Sequence, residues 1–213
     1  MKRPKAAAVR HPAAPVVAKV DYKKSHPELY RAGRRVSELR APKGTFLAVE
    51  GVGEPGGAAF RDAIRELFTL AYTLKFAMKK AGGSDFSVPS LECLWPDNVC
   101  GKPKAAWKWR LMLRVPPCVK ERPLRQVRKM LLEKNGPDTS GVKRVTWAEG
   151  RALQVLHVGP YDAVGAAYQA LEAEAAALKL RCIGPAHEVY LSDPGRVAPE
   201  KIKTIVRMAV KRV

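Results

Sequence analysis

Apolar residues along the chain recur at two different spacings, and these predict a long helix and several strands in the first half. From Phe60 to Met78 they recur every three or four residues, which is the spacing of one face of a helix. From Trp107 to Val115 they occupy every second position, as in a half-buried strand. The apolar runs 45–50 and 91–95 are predicted as further strands, and a shorter helix is predicted over about 122–133.

The second half of the chain repeats this order of elements. A strand is predicted over 152–158, followed by a helix with apolar residues at positions 164, 168, 171, 175 and 178. Two more strands are predicted over 187–191 and 202–210. The order strand–helix–strand–strand therefore occurs twice, which indicates an internal duplication.

The duplication predicts an α+β fold in which two modules form a ligand cleft. Module one covers about 45–135 and module two about 150–213. We expect the helices to cover one face of the antiparallel sheets, which leaves the opposite faces to line a shared groove. In the strand 187–191, Glu188 and Tyr190 share one side. If the apolar residues on the other side pack under the helix, both face the groove.

A carboxylate in such a groove has a restricted set of uses. Its desolvation is costly, and this cost can be compensated by a cation, by a neighbouring tyrosine hydroxyl or by protonation. Glu188 can pair with a lipophilic cation, assisted by aromatic rings, or it can act as a general acid or base together with Tyr190. The alternative is an exposed strand glutamate with no function.

Several aromatic residues are candidates to line the cleft. Trp95, Trp107 and Trp109 fall on strands of module one, and Tyr161 follows a strand of module two. Flat aromatic walls with a few polar groups are typical of small-molecule pockets, although packing in the core is the alternative for Trp107 and Trp109. Tyr30, in a short arm over 21–30, is a further candidate for contact with the ligand.

Two further polar residues have open roles, and the sequence predicts no metal or cofactor site. Glu92 is the counterpart of Glu188 in module one, and it is either a second acid–base group or a structural residue. His157 is either a base or a hydrogen-bonded structural histidine. The four cysteines include no C-x-x-C pair, and no P-loop or dinucleotide-binding fingerprint occurs.

The chain is strongly basic, with 39 Lys and Arg against 20 Asp and Glu, a net charge of +19. The excess is densest in residues 1–43, which carry 12 basic and 3 acidic side chains. Such a charge attracts nucleic acid nonspecifically, but no nucleic-acid-binding motif accompanies it, so a solvated basic surface is the alternative. Residues 1–18 are predicted to be a disordered basic tail. With no signal peptide or apolar span, we expect a cytoplasmic protein without membrane contact.

Several short motifs stand out along the chain: Gly51-Val-Gly53, Leu91-Glu-Cys-Leu-Trp95, Trp107-Lys-Trp-Arg-Leu-Met-Leu, His157-Val-Gly-Pro-Tyr161 and His187-Glu-Val-Tyr-Leu-Ser-Asp-Pro194. Together they resemble the GyrI-like small-molecule-binding proteins, over about 19–213. The arm 21–30 is similar to the N-terminal arm of the stand-alone branch of that family. Two details depart from the family pattern: Trp95 precedes a proline where many members have a second tryptophan, and Cys93 stands where glycine is usual.

The resemblance implies two pseudo-symmetric modules of the SHS2 type with a ligand cleft between them. In multidrug-sensing relatives, a buried glutamate meets cationic lipophilic drugs, and Glu188 lies on the matching strand. Some stand-alone relatives are cyclopropanoid cyclopropyl hydrolases, which detoxify DNA-alkylating natural products by adding water to a strained ring. For that reaction we expect Glu188 to activate water and Tyr190 or Tyr161 to hydrogen-bond the developing phenolate. The alternatives are drug sequestration without turnover and, as the family name suggests, inhibition of DNA gyrase.

Overall fold

The structure, a computed structural model, describes residues 19–97 and 101–213. The predicted tail 1–18 and Cys100 lie outside the described residues. In the described part, the α-helices are α1 Tyr22–Ser25, α2 Pro27–Tyr30, α3 Ala58–Lys80, α4 Glu121–Glu133 and α5 Gly165–Ala177. The strands are β1 Ser37–Ala41, β2 Gly44–Val52, β3 Glu92–Trp95, β4 Lys108–Val115, β5 Lys143–Trp147, β6 Gly150–Val158, β7 Leu180–Tyr190 and β8 Lys203–Arg212. None of the helices in these ranges is both long and apolar enough to cross a membrane.

The strands form one antiparallel sheet in the order β1-β6-β8-β7-β3-β4-β2-β5. The first module is β2-α3-β3-β4 and the second is β6-α5-β7-β8, so their strands enter the sheet in mirrored order. The two modules join where β3 pairs with β7, with Cys93 directly opposite Glu188. The predicted α+β duplication is therefore confirmed.

The long helices of both modules lie on the same face of the sheet. Leu67 and Leu74 of α3 pack with Leu111 of β4 in one buried cluster, and Leu171 of α5 packs with Val206 of β8 in another. The apolar stripes seen in the sequence are the faces that meet the sheet. The central strands β3 and β7 lie where the two helix-covered regions meet: Cys93 and Trp95 of β3 belong to the first cluster, and α5 lies over β7.

The N-terminal arm packs on the opposite face of the sheet. The prediction of an open groove on that face is therefore wrong. Leu29 and Tyr30 of α2 pack against Ala41, Val189 and Ile205 in a buried cluster. Val189 therefore packs under the arm. Because side chains alternate along a strand, its neighbour Glu188 faces the helices instead.

One two-stranded ribbon, formed by residues 37–48 and 143–154, bridges the modules across this opposite face. Strands β1 and β6 pair from Ser37↔Gln154 to Ala41↔Gly150. The same register continues without a shift in β2 and β5, starting at Gly44↔Trp147. The short interruption lies where the ribbon crosses from one module to the other. Gly150 has φ +78 there, a conformation that favours glycine.

Candidate ligand-binding site

The carboxylate of Glu188 is buried and is held by two phenol groups from different elements. Its side chain lies on β7, and the residue is only 6% exposed. The Tyr168 hydroxyl, from α5, donates to Oε1 at 2.7 Å, and the Tyr190 hydroxyl donates to Oε2 at 2.9 Å. No Lys, Arg or His of residues 19–97 and 101–213 forms an ion pair with Glu188. A buried anion thus depends on neutral hydrogen-bond donors.

Both phenols remain protonated donors at neutral pH. Burial and the nearby Glu188 carboxylate raise the pKa of Tyr168 and of Tyr190 well above the ordinary value. Burial, with Glu188 as the second cause, also raises the pKa of the Cys93 thiol across the strand pair. Glu188 therefore sits among neutral groups.

Tyr161 forms the exposed edge of this cluster. Its residue is 37% exposed, and its ring meets that of Tyr190 edge to face with centroids 5.7 Å apart. Burial and then the Glu188 carboxylate raise the pKa of Tyr161. Its hydroxyl forms no hydrogen bond within the described residues. Tyr161 is therefore a donor available to a ligand that approaches Glu188 from solvent.

An aromatic cluster continues the same face of the sheet into the first module. Phe60 of α3 stacks on Trp95 at 6.4 Å between centroids and meets Trp109 edge to face at 5.2 Å. Trp107 meets Trp95 at 5.7 Å, and Tyr190 packs against the buried cluster that contains these tryptophans. The three predicted tryptophans and Glu188 thus share one face of the sheet.

Two indole groups in this cluster have unused hydrogen-bonding capacity. The Nε1 atoms of Trp95 and Trp109 are buried, with no partner among the described residues. Gly51 makes room for the Trp109 ring, since a Cβ there would lie 2.2 Å from it. Buried Trp N–H groups usually find an acceptor, so these two could serve an oxygen of a ligand.

A second polar cluster, which we call the arm network, lies on the opposite face of the sheet. Glu92 accepts a hydrogen bond from the Tyr30 hydroxyl at 3.0 Å and lies 3.1 Å from His187 Nε2. The other ring nitrogen of His187 lies 3.0 Å from Glu149, which also pairs with Arg207 at 3.3 Å. With a carboxylate at each ring nitrogen, His187 is placed to donate from both.

The charges of the arm network stabilise one another. Burial disfavours the imidazolium, but Glu149 and Glu92 outweigh it and hold the pKa of His187 above its ordinary value. Burial also opposes the Glu149 carboxylate, yet His187 and Arg207 hold its pKa below the ordinary value. Arg207 further donates to the Leu29 carbonyl at 2.8 Å. The network therefore ties the arm to the sheet.

Relatives of known structure match both the fold and the sequence. The sequence profile of the GyrI-like small molecule binding domain matches residues 125–211. A crystal structure of an uncharacterised conserved protein from Listeria innocua is 35% identical, covers 91% of this chain and 100% of that chain, and superposes with a TM-score of 0.85. The chain belongs to the GyrI-like family. It is thus a small-molecule-binding protein by family.

Two further structures are similar to this GyrI-like chain. A crystal structure described as that of a hydrolase from Listeria innocua is 34% identical, covers 91% of this chain and 100% of that chain, and has a TM-score of 0.84. The EcmrR C-terminal domain is 11% identical, covers 84% of this chain and 98% of that chain, and has a TM-score of 0.56, which shows a shared fold alone. No curated protein sequence matches the chain.

The GyrI-like structure separates the predicted site residues into two groups. Glu188, Tyr190 and Tyr161 lie together, on the face that also carries the three tryptophans. Glu92 and Tyr30 lie in the arm network on the other face. The two carboxylates therefore do not share a groove, because Glu92 is paired with Val189 and not with Glu188.

His157 lies at the end of β6, where its Nε2 is 3.0 Å from the Pro160 carbonyl. That hydrogen bond spans the turn before Tyr161. The geometry gives His157 a structural contact in the loop that carries Tyr161.

Sequence reasoning missed Tyr168, the second donor to Glu188. It belongs to the apolar stripe of α5, and its ring does pack against the core of module two. Only the position of α5 over β7 brings its hydroxyl to Glu188. Within the described residues, no three His, Cys, Asp or Glu side chains form a group that could hold a metal ion.

Proposed function

We propose that this protein hydrolyses electrophilic hydrophobic small molecules, with cyclopropane-bearing DNA-alkylating compounds as the substrate class. The observation that carries the proposal is the buried Glu188 carboxylate, which the hydroxyls of Tyr168 and Tyr190 hold in place. The hydrolase description of a Listeria innocua protein 34% identical over almost the whole chain supports it. The resemblance to cyclopropyl hydrolases points to the same chemistry.

The reaction needs one proton acceptor and one polarising donor. Glu188 accepts a proton from a water molecule as the water oxygen bonds to a ring carbon of the cyclopropane. The C–C bond of the strained ring breaks, and its electron pair moves into the conjugated carbonyl to give a phenolate. The phenolate takes a proton from solvent, and Glu188 returns its own proton to solvent. The net change is the addition of one water molecule.

The structure favours Tyr161 over Tyr190 as the donor to the phenolate oxygen. The Tyr190 hydroxyl already donates to Glu188 and has only one proton to give. Tyr161 stands beside it with no hydrogen bond inside the described residues, and Trp95 offers a second unpartnered donor. Tyr190 and Tyr168 then act on the reaction through Glu188, by holding it in place.

Product analysis with a cyclopropane-bearing alkylator tests this function. The wild-type protein is expected to release the ring-opened hydrate, and Glu188→Gln is expected to lower the rate about 100-fold or more. Affinity for the intact neutral substrate should change far less, since Gln keeps the shape of Glu188. Glu174→Gln, an exposed site on α5, serves as the control and should keep full activity.

Two results would contradict the proposal at different points. If the wild type forms no hydrate from any such compound, the enzymatic function fails and sequestration without turnover remains. That alternative is favoured by the absence of a cation beside Glu188 in the described residues, since a buried anion attracts lipophilic cations. If Glu188→Gln turns over normally, the enzyme stands and the role of Glu188 is wrong.

A further inference from the structure

A group of exposed cations, which we call the basic corner, lies where β7 begins and β8 ends. Its members are Lys179, Arg181, Lys211 and Arg212. The sheet register places Arg181 directly opposite Lys211. The amide of Val213 donates to the Lys179 carbonyl at 3.4 Å, so the two chain segments stay side by side to the end of the corner. Four positive charges therefore share two neighbouring strand ends.

The charges of the basic corner are not compensated. No carboxylate of residues 19–97 and 101–213 forms an ion pair with any of the four cations, whereas Arg151 on the adjacent strand β6 pairs with Glu38 at 2.8 Å. Side chains directly opposite each other in an antiparallel pair lie on the same face with Cβ atoms about 5 Å apart, and like charges there are destabilising. The pair Arg181 and Lys211 therefore costs stability in the free protein.

The backbone at Lys179 adds a second, independent cost. Lys179 directly follows the C-terminal cap of α5, Leu178, and has φ +55. Glycine is the usual residue at this position of a helix end, because other side chains are strained in the left-handed region. Strained residues of this kind cluster at functional sites. Here the strained residue is a lysine next to a like-charge pair.

From these two costs we propose that the basic corner binds the phosphate backbone of duplex DNA without regard to sequence. Duplex DNA carries one negative charge about every 1.7 Å along its axis, so several phosphates can lie against four cations at two strand ends. Phosphates beside Arg181 and Lys211 remove the repulsion between them. The net charge of +19 attracts DNA to the chain, and the basic corner supplies a defined place of contact.

Other polyanions match the basic corner less well. The core of a protein–protein interface is depleted in charged residues, and lysine is depleted across such interfaces, so an acidic protein is an unusual partner for four adjacent cations. An anionic membrane is a broad surface, and it would also meet Glu172 and Glu174, which are exposed on α5 beside β7. A duplex is a narrow rod, and it can contact the strand ends without covering the helix.

The basic corner is separate from the Glu188 cluster. A register shift in β7 lies between Ile183 and His187, so the two ends of this strand pair with β8 separately. None of the four cations contributes to the hydrogen bonds of Glu188. The inference is therefore independent of the proposed hydrolysis, and either can fail without the other.

The salt dependence of DNA affinity tests this proposal. In fluorescence anisotropy with a labelled duplex, the double change Arg181→Gln and Lys211→Gln should raise Kd about tenfold or more at about 50 mM salt. The slope of log K against the logarithm of the salt concentration should become less steep by about 2, since each phosphate contact contributes about 0.9. In urea denaturation at low salt, the same double change should raise the midpoint, because it removes a repulsion.

Lys179→Gly separates the charge of this residue from its backbone strain. Glycine adopts the left-handed conformation without a steric cost, so the variant should keep or raise the midpoint of urea denaturation. It should still raise the Kd for the duplex about threefold, because one phosphate contact is lost. Lys179→Arg keeps the charge and should bind the duplex as the wild type does.

A pair of arginines on α4 provides the matched control. Arg122 and Arg125 are exposed and form no ion pair within the described residues. The double change Arg122→Gln and Arg125→Gln lowers the net charge by the same amount as the corner variant. It should change the Kd for the duplex less than about twofold and leave the slope unchanged.

Three outcomes would overturn the proposal. If the α4 control loses as much affinity as the corner variant, the net charge acts alone and there is no defined place of contact. If the corner variant loses affinity for polyglutamate but not for the duplex, the partner is an acidic protein. If it loses affinity only for vesicles of phosphatidylserine and phosphatidylcholine, the partner is a membrane.

Discussion

The buried charge of Glu188 is stabilised by hydrogen bonds from two tyrosines. Among the described residues, no cation lies beside it to take their place. Tyr168 reaches it from α5, while Tyr190 lies two positions away on the same strand. A carboxylate that loses one of two donors in a buried site keeps its desolvation cost but loses part of the compensation. The two phenols therefore contribute to stability as well as to the site.

We expect Tyr168→Phe and Tyr190→Phe each to lower the free energy of unfolding by about 1–3 kcal/mol, because each removes one hydrogen bond to a buried charge. Urea denaturation at pH 7 measures this change. Tyr72→Phe is the control, since its exposed hydroxyl has no hydrogen-bond partner in the described residues. If the Tyr168 and Tyr72 variants lose the same free energy, the hydrogen bond to Glu188 contributes nothing.

At the scale of elements, strand β7 carries two polar sites on its two faces. His187 points into the arm network, and Glu188, the next residue, points towards the helices. Both residues pair with the same neighbouring strands, since Leu94 lies opposite His187 and Cys93 opposite Glu188. The arm network thus fixes the strand that presents Glu188.

The arm network predicts that part of the stability is lost as pH rises. The pKa of His187 is higher in the folded protein than its ordinary value of 6.5. Its contribution is therefore fully present below pH 6.5 and is lost as pH rises through the folded pKa. Wild-type unfolding free energy minus that of His187→Gln should fall across this window, as measured by urea denaturation between pH 6 and 9.

His26→Gln is the control for this pH series. His26 is half exposed and lies outside the arm network. If this prediction holds, the difference in unfolding free energy between wild type and His187→Gln changes from pH 6 to 9. A constant difference would show that Glu92 and Glu149 do not hold His187 in its protonated form. Glu149 acts in the opposite range: its pKa is lowered, so its contribution is lost as pH falls through the folded pKa.

At the scale of the whole molecule, the net charge of +19 sets the response to polyanions. We expect weak duplex DNA binding that vanishes near physiological salt, because no element of the described fold forms a base-reading motif. Deleting 1–18 removes Lys2, Arg3, Lys5 and Arg10. The slope of log K against the logarithm of the salt concentration should then become less steep by at most about 3 to 4. Fluorescence anisotropy at salt concentrations from about 50 to about 200 mM, where phosphate contacts weaken, measures this slope.

Tight, sequence-dependent binding to duplex DNA would contradict this expectation. It would place nucleic acid beside the small molecule as a specific partner of the chain. A shuffled duplex of the same length is the control, since a purely electrostatic interaction does not distinguish the two sequences.

The order of elements was predictable because each long element carries its own hydrophobic period. The stripe of α3 and the alternation of β4 are local patterns, and both elements form where the sequence predicts them. Strands β1 and β5 were not predicted. Their residues are mostly exposed or half-buried at the edges of the sheet, so backbone pairing defines them and no apolar pattern marks them.

The sequence by itself determined the duplicated α+β plan, the basic charge and the fact that Glu188 and Tyr190 share one side of a strand. It did not determine which face of the sheet that side meets. The N-terminal arm decided this, because it covers Val189 and leaves Glu188 to the helices. Tertiary packing also brought Tyr168 to Glu188 and sent Glu92 to the other face. Alternation along a strand is a local property, whereas the partner of each face is set by elements far apart in the chain.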